Sequence, residues 1–231
     1  MQILETSSFG LRSARLVFRK ADGLVSVTLL PMVHVGDARF YREAFQDAFS
    51  HDVALVEGVR SPVGRNLTRS YRWIDLERLG LVLQPKTPPR ADVAARIVHA
   101  DLSTEEFEQA WRGVSMRYRA MLFCLAPLVG IHRRLFASRE TIADRLALED
   151  LESREETLSW DPALAGIFEA VMDARDKRLT ECLKAELTDA SDTGKRIAII
   201  YGALHMRAVL RELTRRGYTC VDAQWREAFA I

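Results

Sequence analysis

Cysteine is scarce in this chain. The three present, Cys124, Cys182 and Cys220, are far apart, odd in number and embedded in apolar sequence. That argues against a disulfide framework and leads to the expectation of reduced, buried thiols in a cytoplasmic protein. Long hydrophobic runs are missing as well. The longest nearly uncharged apolar stretch, AMLFCLAPLVGI from Ala120 to Ile131, carries Pro127 and falls short of the roughly 20 residues that cross a bilayer. No membrane span is expected. The opening MQILETSSFGLRSARLVF has no basic start followed by an apolar segment, so no signal peptide is expected. Neither sign of charge is in excess: Lys plus Arg total 33 against 32 Asp plus Glu. Net charge therefore gives no reason to expect a nucleic-acid partner or attraction to a membrane. Repeats of solenoid period and low-complexity segments are absent.

What is present is an ordinary globular composition. The chain has 231 residues, 48% apolar and 28% charged, enough to bury a sizeable core. Strand signals cluster at its two ends. Residues 14–19 (ARLVFR) and 24–30 (LVSVTLL) flank Ala-Asp-Gly and read as a hairpin. Asp37–Phe49 has apolar residues at helical spacing, and DVALVEG, Asp52 to Gly58, reads as a short buried strand. Strand, helix and strand over 24–57 have the length of one parallel crossover. Between about 60 and 190 the pattern is helical, with breakers such as Pro85, Pro88 and Pro89. A helix start is expected at Ser103-Thr104-Glu105-Glu106, and Asp161-Pro162 is expected to open a long helix ending near Leu187. Strand character returns at Lys195–Tyr201, helix at Ala203–Arg215 and strand at Tyr218–Ala223. The expected fold is α/β: a mixed, largely parallel sheet from the N- and C-terminal parts, with a large helical insertion. Residues 1–231 are read as a single α/β domain, with 60–190 a mainly helical insertion free of strands of four or more residues over 90–190.

That arrangement gives a histidine-bearing segment its context. IIYGALHM, Ile199 to Met206, ends a strand and places His205 three residues beyond Gly202. TLLPMVH, Thr28 to His34, ends an earlier strand in a similar way, and Glu57 ends the strand between. If the three strands run parallel, His34, Glu57 and His205 emerge at one carboxyl edge, where open α/β sheets bind ligands. Two imidazoles and a carboxylate suit a divalent ion that keeps a position open for water. Gly202 fits a turn that needs positive φ or a close backbone approach. Each histidine alone also suits a capping or core position. Glu57 says more, because a charge beside a buried strand needs a partner.

In order and strand context, LLPMVHVG, VALVEGVR, DARDKRLTECL and IIYGALHM resemble the Tiki/TraB family, which includes the pheromone-shutdown proteins and shares the erythromycin-esterase and ChaN-like fold. That family shows two G-x-x-H motifs, each after a strand, and a glutamate ending the strand after the first. Pro31 departs from the pattern, replacing the first glycine with a residue of fixed φ. The resemblance implies a mixed α/β core with a helical insertion and, in Tiki-type members, a metalloprotease activity. It also points to Arg175 and Asp176 in the helix motif. The expectation is a metal-dependent hydrolase acting on a peptide. His34, Glu57 and His205 would hold Mn, Co or Zn, or Glu57 would act as general base on the bound water. Arg60 and Arg175, with Asp176, would meet the substrate. The alternative is a non-catalytic protein that sequesters a peptide or a haem-like ligand in the same cleft. The apolar segment RYRAMLFCLAPLVGIHRRLF suits covering a pocket or pairing with a second subunit in a homodimer. His51, His99 and His132 are assigned no chemistry.

Overall fold

The structure is a computed structural model and describes residues 2–58, 69–85, 95–151, 172–189 and 194–231. In chain order its strands begin with β1 (Leu4–Ser7), β2 (Gly10–Arg19), β3 (Ser26–Met32) and the short β4 (Val35–Gly36). Helix α1 (Ala38–Phe49) leads to β5 (Val53–Val56), followed by a 3-10 turn at Arg69–Trp73, β6 (Val82–Leu83) and β7 (Arg96–His99). Helices α2 (Thr104–Arg112), α3 (Met116–Phe136), α4 (Arg139–Leu151) and α5 (Ala174–Asp189) come next. The chain closes with β8 (Arg196–Gly202), a 3-10 turn at Ala203–His205, α6 (Met206–Arg215) and β9 (Thr219–Ala230).

One mixed sheet organises these elements. Strands β3, β8, β5 and β7 lie side by side and parallel, with β8 inserted between β3 and β5. Every residue of β3 and β5 is buried, as is most of β8, so both faces of this part are covered. A parallel sheet requires such cover. The other part is antiparallel. Strand β9 pairs with β2 along its length, while β1 and β3 pair with successive halves of β2. Helix α1 buries Phe40, Tyr41, Ala44, Phe45, Ala48 and Phe49 along one stripe, the period expected of a helix laid on a sheet.

The expected α/β fold, with a mixed sheet and a helical insertion, is what the structure has. Segments 24–30, 53–57 and 196–201 are indeed neighbouring parallel strands. Two expectations need correction. Strand β7 is four residues long and lies inside the insertion, where no strand of that length was expected. Its sequence, Arg-Ile-Val-His, leaves three of four residues exposed at a sheet edge, so it gives neither an apolar run nor a clear alternation. The cysteines are not buried either: Cys124 is exposed, and Cys182 and Cys220 are half-buried. Cys124 lies on the outward side of α3, whose apolar sequence had suggested core. The helix start at Ser103 is confirmed by a full capping box with Glu106, whereas Asp161 and Pro162 lie outside the described residues.

Pro31 sits inside β3 rather than in a turn. Its carbonyl accepts a hydrogen bond from the Ser13 hydroxyl at 2.7 Å. The β2–β3 ladder runs from Arg19/Ser26 to Leu16/Leu29, so it has ended before Pro31 and the missing N–H breaks no rung on that side. Gly202, at the end of β8, has φ −52. Neither histidine motif therefore leaves its strand through a positive-φ turn, and the fixed φ of proline suits the path taken. Pro31→Gly should lose about 1 kcal/mol, from unfolded-chain entropy and a glycine within a strand, as read from the urea midpoint. A much larger loss would show that the first histidine loop depends on the proline ring.

Candidate functional site

The parallel strands aim their carboxyl ends at one edge, and five acidic or basic side chains gather there. Glu57 follows β5, and its backbone N–H donates to the Ile200 carbonyl of β8 at 3.3 Å. Its carboxylate is held from two sides. Arg175 Nη2 donates to Oε1 at 2.6 Å, and the Gly202 N–H donates to Oε2 at 2.8 Å. Arg175, in the first turn of α5, also grips Asp101: Nε donates to Oδ1 at 2.9 Å and Nη2 to Oδ2 at 2.8 Å. Asp101 follows β7 and accepts two further bonds, from the Gly58 and Leu102 N–H groups. The guanidinium is 12% exposed and the two carboxylates 18% and 2%. This is a largely buried three-charge cluster with nearly every donor and acceptor used, the condition under which buried charge is tolerated.

The protonation states follow from the same contacts. Burial works to raise the Glu57 pKa, but the charges of Arg175, then His205, and farther off His34, outweigh it and hold the group below its usual range. Burial likewise opposes the ionised form of Asp101, and Arg175 with two backbone amides wins, again lowering the value. Burial disfavours the Arg175 cation too, yet Glu57 and Asp101 keep it firmly protonated. Glu57 is thus ionised, as the sequence reading required, although the partner found is a guanidinium.

His205 belongs to a second, adjoining pair. It lies in the 3-10 turn after β8, its side chain 5% exposed, and its Nδ1 is 2.6 Å from Asp176 Oδ1. With Nδ1 protonated toward Asp176, Nε2 is left as the acceptor lone pair. The ring packs edge-on against Tyr201. A Cβ placed on Gly202 would lie 3.3 Å from Glu57 Oε2 and 3.5 Å from His205 Cδ2, so both side chains crowd this glycine. The glycine is needed here for close approach, not for its φ. Tyr201 Oη is buried; burial above all pushes its phenol pKa far up, with Asp101 adding to the shift, so it stays neutral.

His34 stands at the rim. The Gln84 N–H donates to its backbone carbonyl and the Tyr41 hydroxyl to the carbonyl of Val33, which fixes the loop. Its ring lies 5.4 Å from that of Tyr71. Of the residues singled out in the sequence, the structure brings Glu57, Arg175, Asp176 and His205 into contact as two linked pairs, with His34 near enough to act on the charge of Glu57. Arg60 lies outside the described residues. Asp101 was missed in the sequence because the strand before it was missed. The run RIVHAD, once seen as a strand, would have placed that carboxylate at the same edge.

Both Glu57 oxygens already face donors, one of them a cation, whereas Asp176 on His205 Nδ1 leaves Nε2 open. Among the described residues no group of three or more His, Cys, Asp or Glu could hold a metal ion. Compared with models of known protein families, with curated proteins and with solved structures, the chain matches none.

Removing the central cation tests the cluster. Arg175→Met should cost about 3–5 kcal/mol at neutral pH, because it leaves two buried carboxylates facing each other. Both carboxylates have folded pKa values below their ordinary ones, so in the wild type their stabilisation is complete above about pH 4. It is lost as pH falls through the folded values. Thermal melts from neutral to acid pH should therefore decline more steeply below that point for the wild type than for Arg175→Met. Parallel declines would show that the cluster does not stabilise the fold.

Proposed function

We propose that the chain is a hydrolase whose proton-transfer group is His205, acting on a peptide or a small ester or amide. The observation that carries this reading is the 2.6 Å bond between His205 Nδ1 and Asp176, at a turn where His205 and Glu57 both crowd Gly202. A carboxylate behind an imidazole fixes its tautomer and orientation and favours the imidazolium that forms when Nε2 takes a proton. Nε2 would take that proton from water. Arg175, firmly charged though bonded to Glu57 and Asp101, would lend positive potential to the negative charge that develops on the attacked carbonyl oxygen. Glu57 is a poor general base, because its pKa is pushed below the working range. It is assigned instead to holding Arg175 and the Gly202 amide in place. His34, at the rim, is assigned to the substrate or leaving group.

The resemblance to Tiki-type peptidases supports a peptide substrate, and relatives of that fold that hydrolyse esters with His and Glu support the same catalytic group. No step is routed through a metal ion, because Arg175 already supplies the cation beside Glu57. The direct test is independent of substrate. Nitrogen NMR of the histidine rings at neutral pH should show His205 protonated on Nδ1, and Asp176→Asn should abolish that preference. On a panel of chromogenic esters and peptides, His205→Ala and Asp176→Asn should each lose at least about a hundredfold in kcat, with melting curves unchanged and chelator without effect. Chelator-sensitive turnover, with a stoichiometric ion lost in His34→Ala and His205→Ala, would replace this reading with the metal-dependent one. A bound ligand that is never turned over would replace it with the binding protein.

A further inference from the structure

Helix α3 is the least explained part of the molecule. It runs for 21 residues, Met116–Phe136, and Gly130 is its one buried residue. Tyr118, Leu122, Ala126, Gly130 and Arg133 recur at nearly every fourth position and, with Arg119, are the half-buried or buried ones. They form the stripe that packs on the body. A Cβ at Gly130 would lie 2.9 Å from the Trp73 ring, and the Arg133 guanidinium lies over Tyr71, 3.9 Å from its centroid. The helix is therefore pinned along one edge.

Its apolar side chains face the other way. Met121, Phe123, Leu125, Leu128, Ile131 and Leu135 are all exposed, Phe123 at 71% and Leu135 at 65%. At 3.6 residues per turn they spread over roughly 200° of the helix surface. A helix on a protein core needs an apolar stripe of about 100°, so one partner helix, such as the same helix of a second copy, would leave about half of this arc in water. Acyl chains impose no such limit, because they surround whatever is immersed in them.

Charge along the helix points the same way. Its Arg and His residues are Arg117, Arg119, His132, Arg133 and Arg134, confined to the two ends, and it carries no Asp or Glu. Arg117 and Arg134 are exposed. The uncharged stretch between Arg119 and His132 is about 18 Å long, shorter than the roughly 30 Å hydrocarbon core, and no single helix among the described residues is long and apolar enough to cross a membrane. A helix with basic ends and an apolar middle of this length lies along a surface, its arginines reaching headgroups while its middle enters the acyl boundary. The near-zero net charge of the whole chain conceals this local arrangement.

We propose that α3 is a peripheral docking helix for an anionic lipid surface. Because α3 packs on the Arg69–Trp73 turn, whose Tyr71 touches His34, docking would hold the candidate site close to that surface. The proposal stands on the helix and does not depend on catalysis. The test is co-sedimentation of the full chain with vesicles of phosphatidylcholine alone and of phosphatidylcholine with phosphatidylglycerol. The wild type should pellet with the anionic vesicles and be released by salt. Arg117→Glu/Arg134→Glu should weaken binding at least about tenfold. Phe123→Asp/Leu128→Asp should abolish it with an unchanged circular-dichroism melt, and Leu135→Asp is the second variant should the double one fail to fold. Three outcomes would overturn the proposal: no binding to either vesicle, equal binding to both, or a dimer in light scattering that Phe123→Asp/Leu128→Asp turns into a monomer.

Discussion

The guanidinium of Arg175 is the tie on which this end of the molecule depends. Three segments far apart in sequence bring charged or polar groups to one place: Glu57 after β5, Asp101 after β7 and the Gly202 amide after β8. Two buried carboxylates side by side would repel and lose their hydration. Arg175 supplies the compensating cation, and its fork geometry lets one side chain bond to both. Helix α5 is thereby fixed to the carboxyl edge of the sheet. Its next residue, Asp176, comes to lie behind His205. The pair with the chemistry is positioned by the pair with the charge.

The strands that carry this edge were legible because they are buried on both faces. Such strands read as continuous β-branched and aliphatic runs, as LVSVTLL, VALV and IAIIY do. Glu57 and His205 stood out because each interrupts or directly follows such a run. Strand β7 had no comparable signal: at the sheet edge, with most of its residues exposed, Arg-Ile-Val-His needs few apolar residues, and Asp101 went unnoticed with it. The cation beside Glu57 was not legible for another reason. Sequence spacing indicates which donors share an edge, whereas the cation that reaches them is set by tertiary packing. Arg175 had been assigned to the substrate, although its partners in the structure are the carboxylates themselves.

The glycine and the proline of the two histidine motifs make a related point. Both positions seemed to call for turns of unusual φ. Instead the chain leaves both strands extended, and what distinguishes Gly202 is crowding by Glu57 and His205 where a Cβ would stand. Pro31 is a different case. It lies where the partner of β2 changes from β3 to β1, so a residue without an N–H costs little there.

The order of the parallel strands has a consequence for how the chain reaches this state. Strand β8 lies between β3 and β5, yet it is synthesised after both of them and after the whole helical insertion. Until it arrives, β3 and β5 each present an unpaired edge of apolar residues, the kind of edge that invites pairing with other chains. The pairing of β2 with β9 spans a similarly long loop, and non-local contacts of this kind slow folding. The site cannot assemble before that late insertion, since Gly202 and His205 come with β8. A nascent chain held short of β8 would lack the candidate site and be prone to aggregate, so the productive fold and that site appear in the same step.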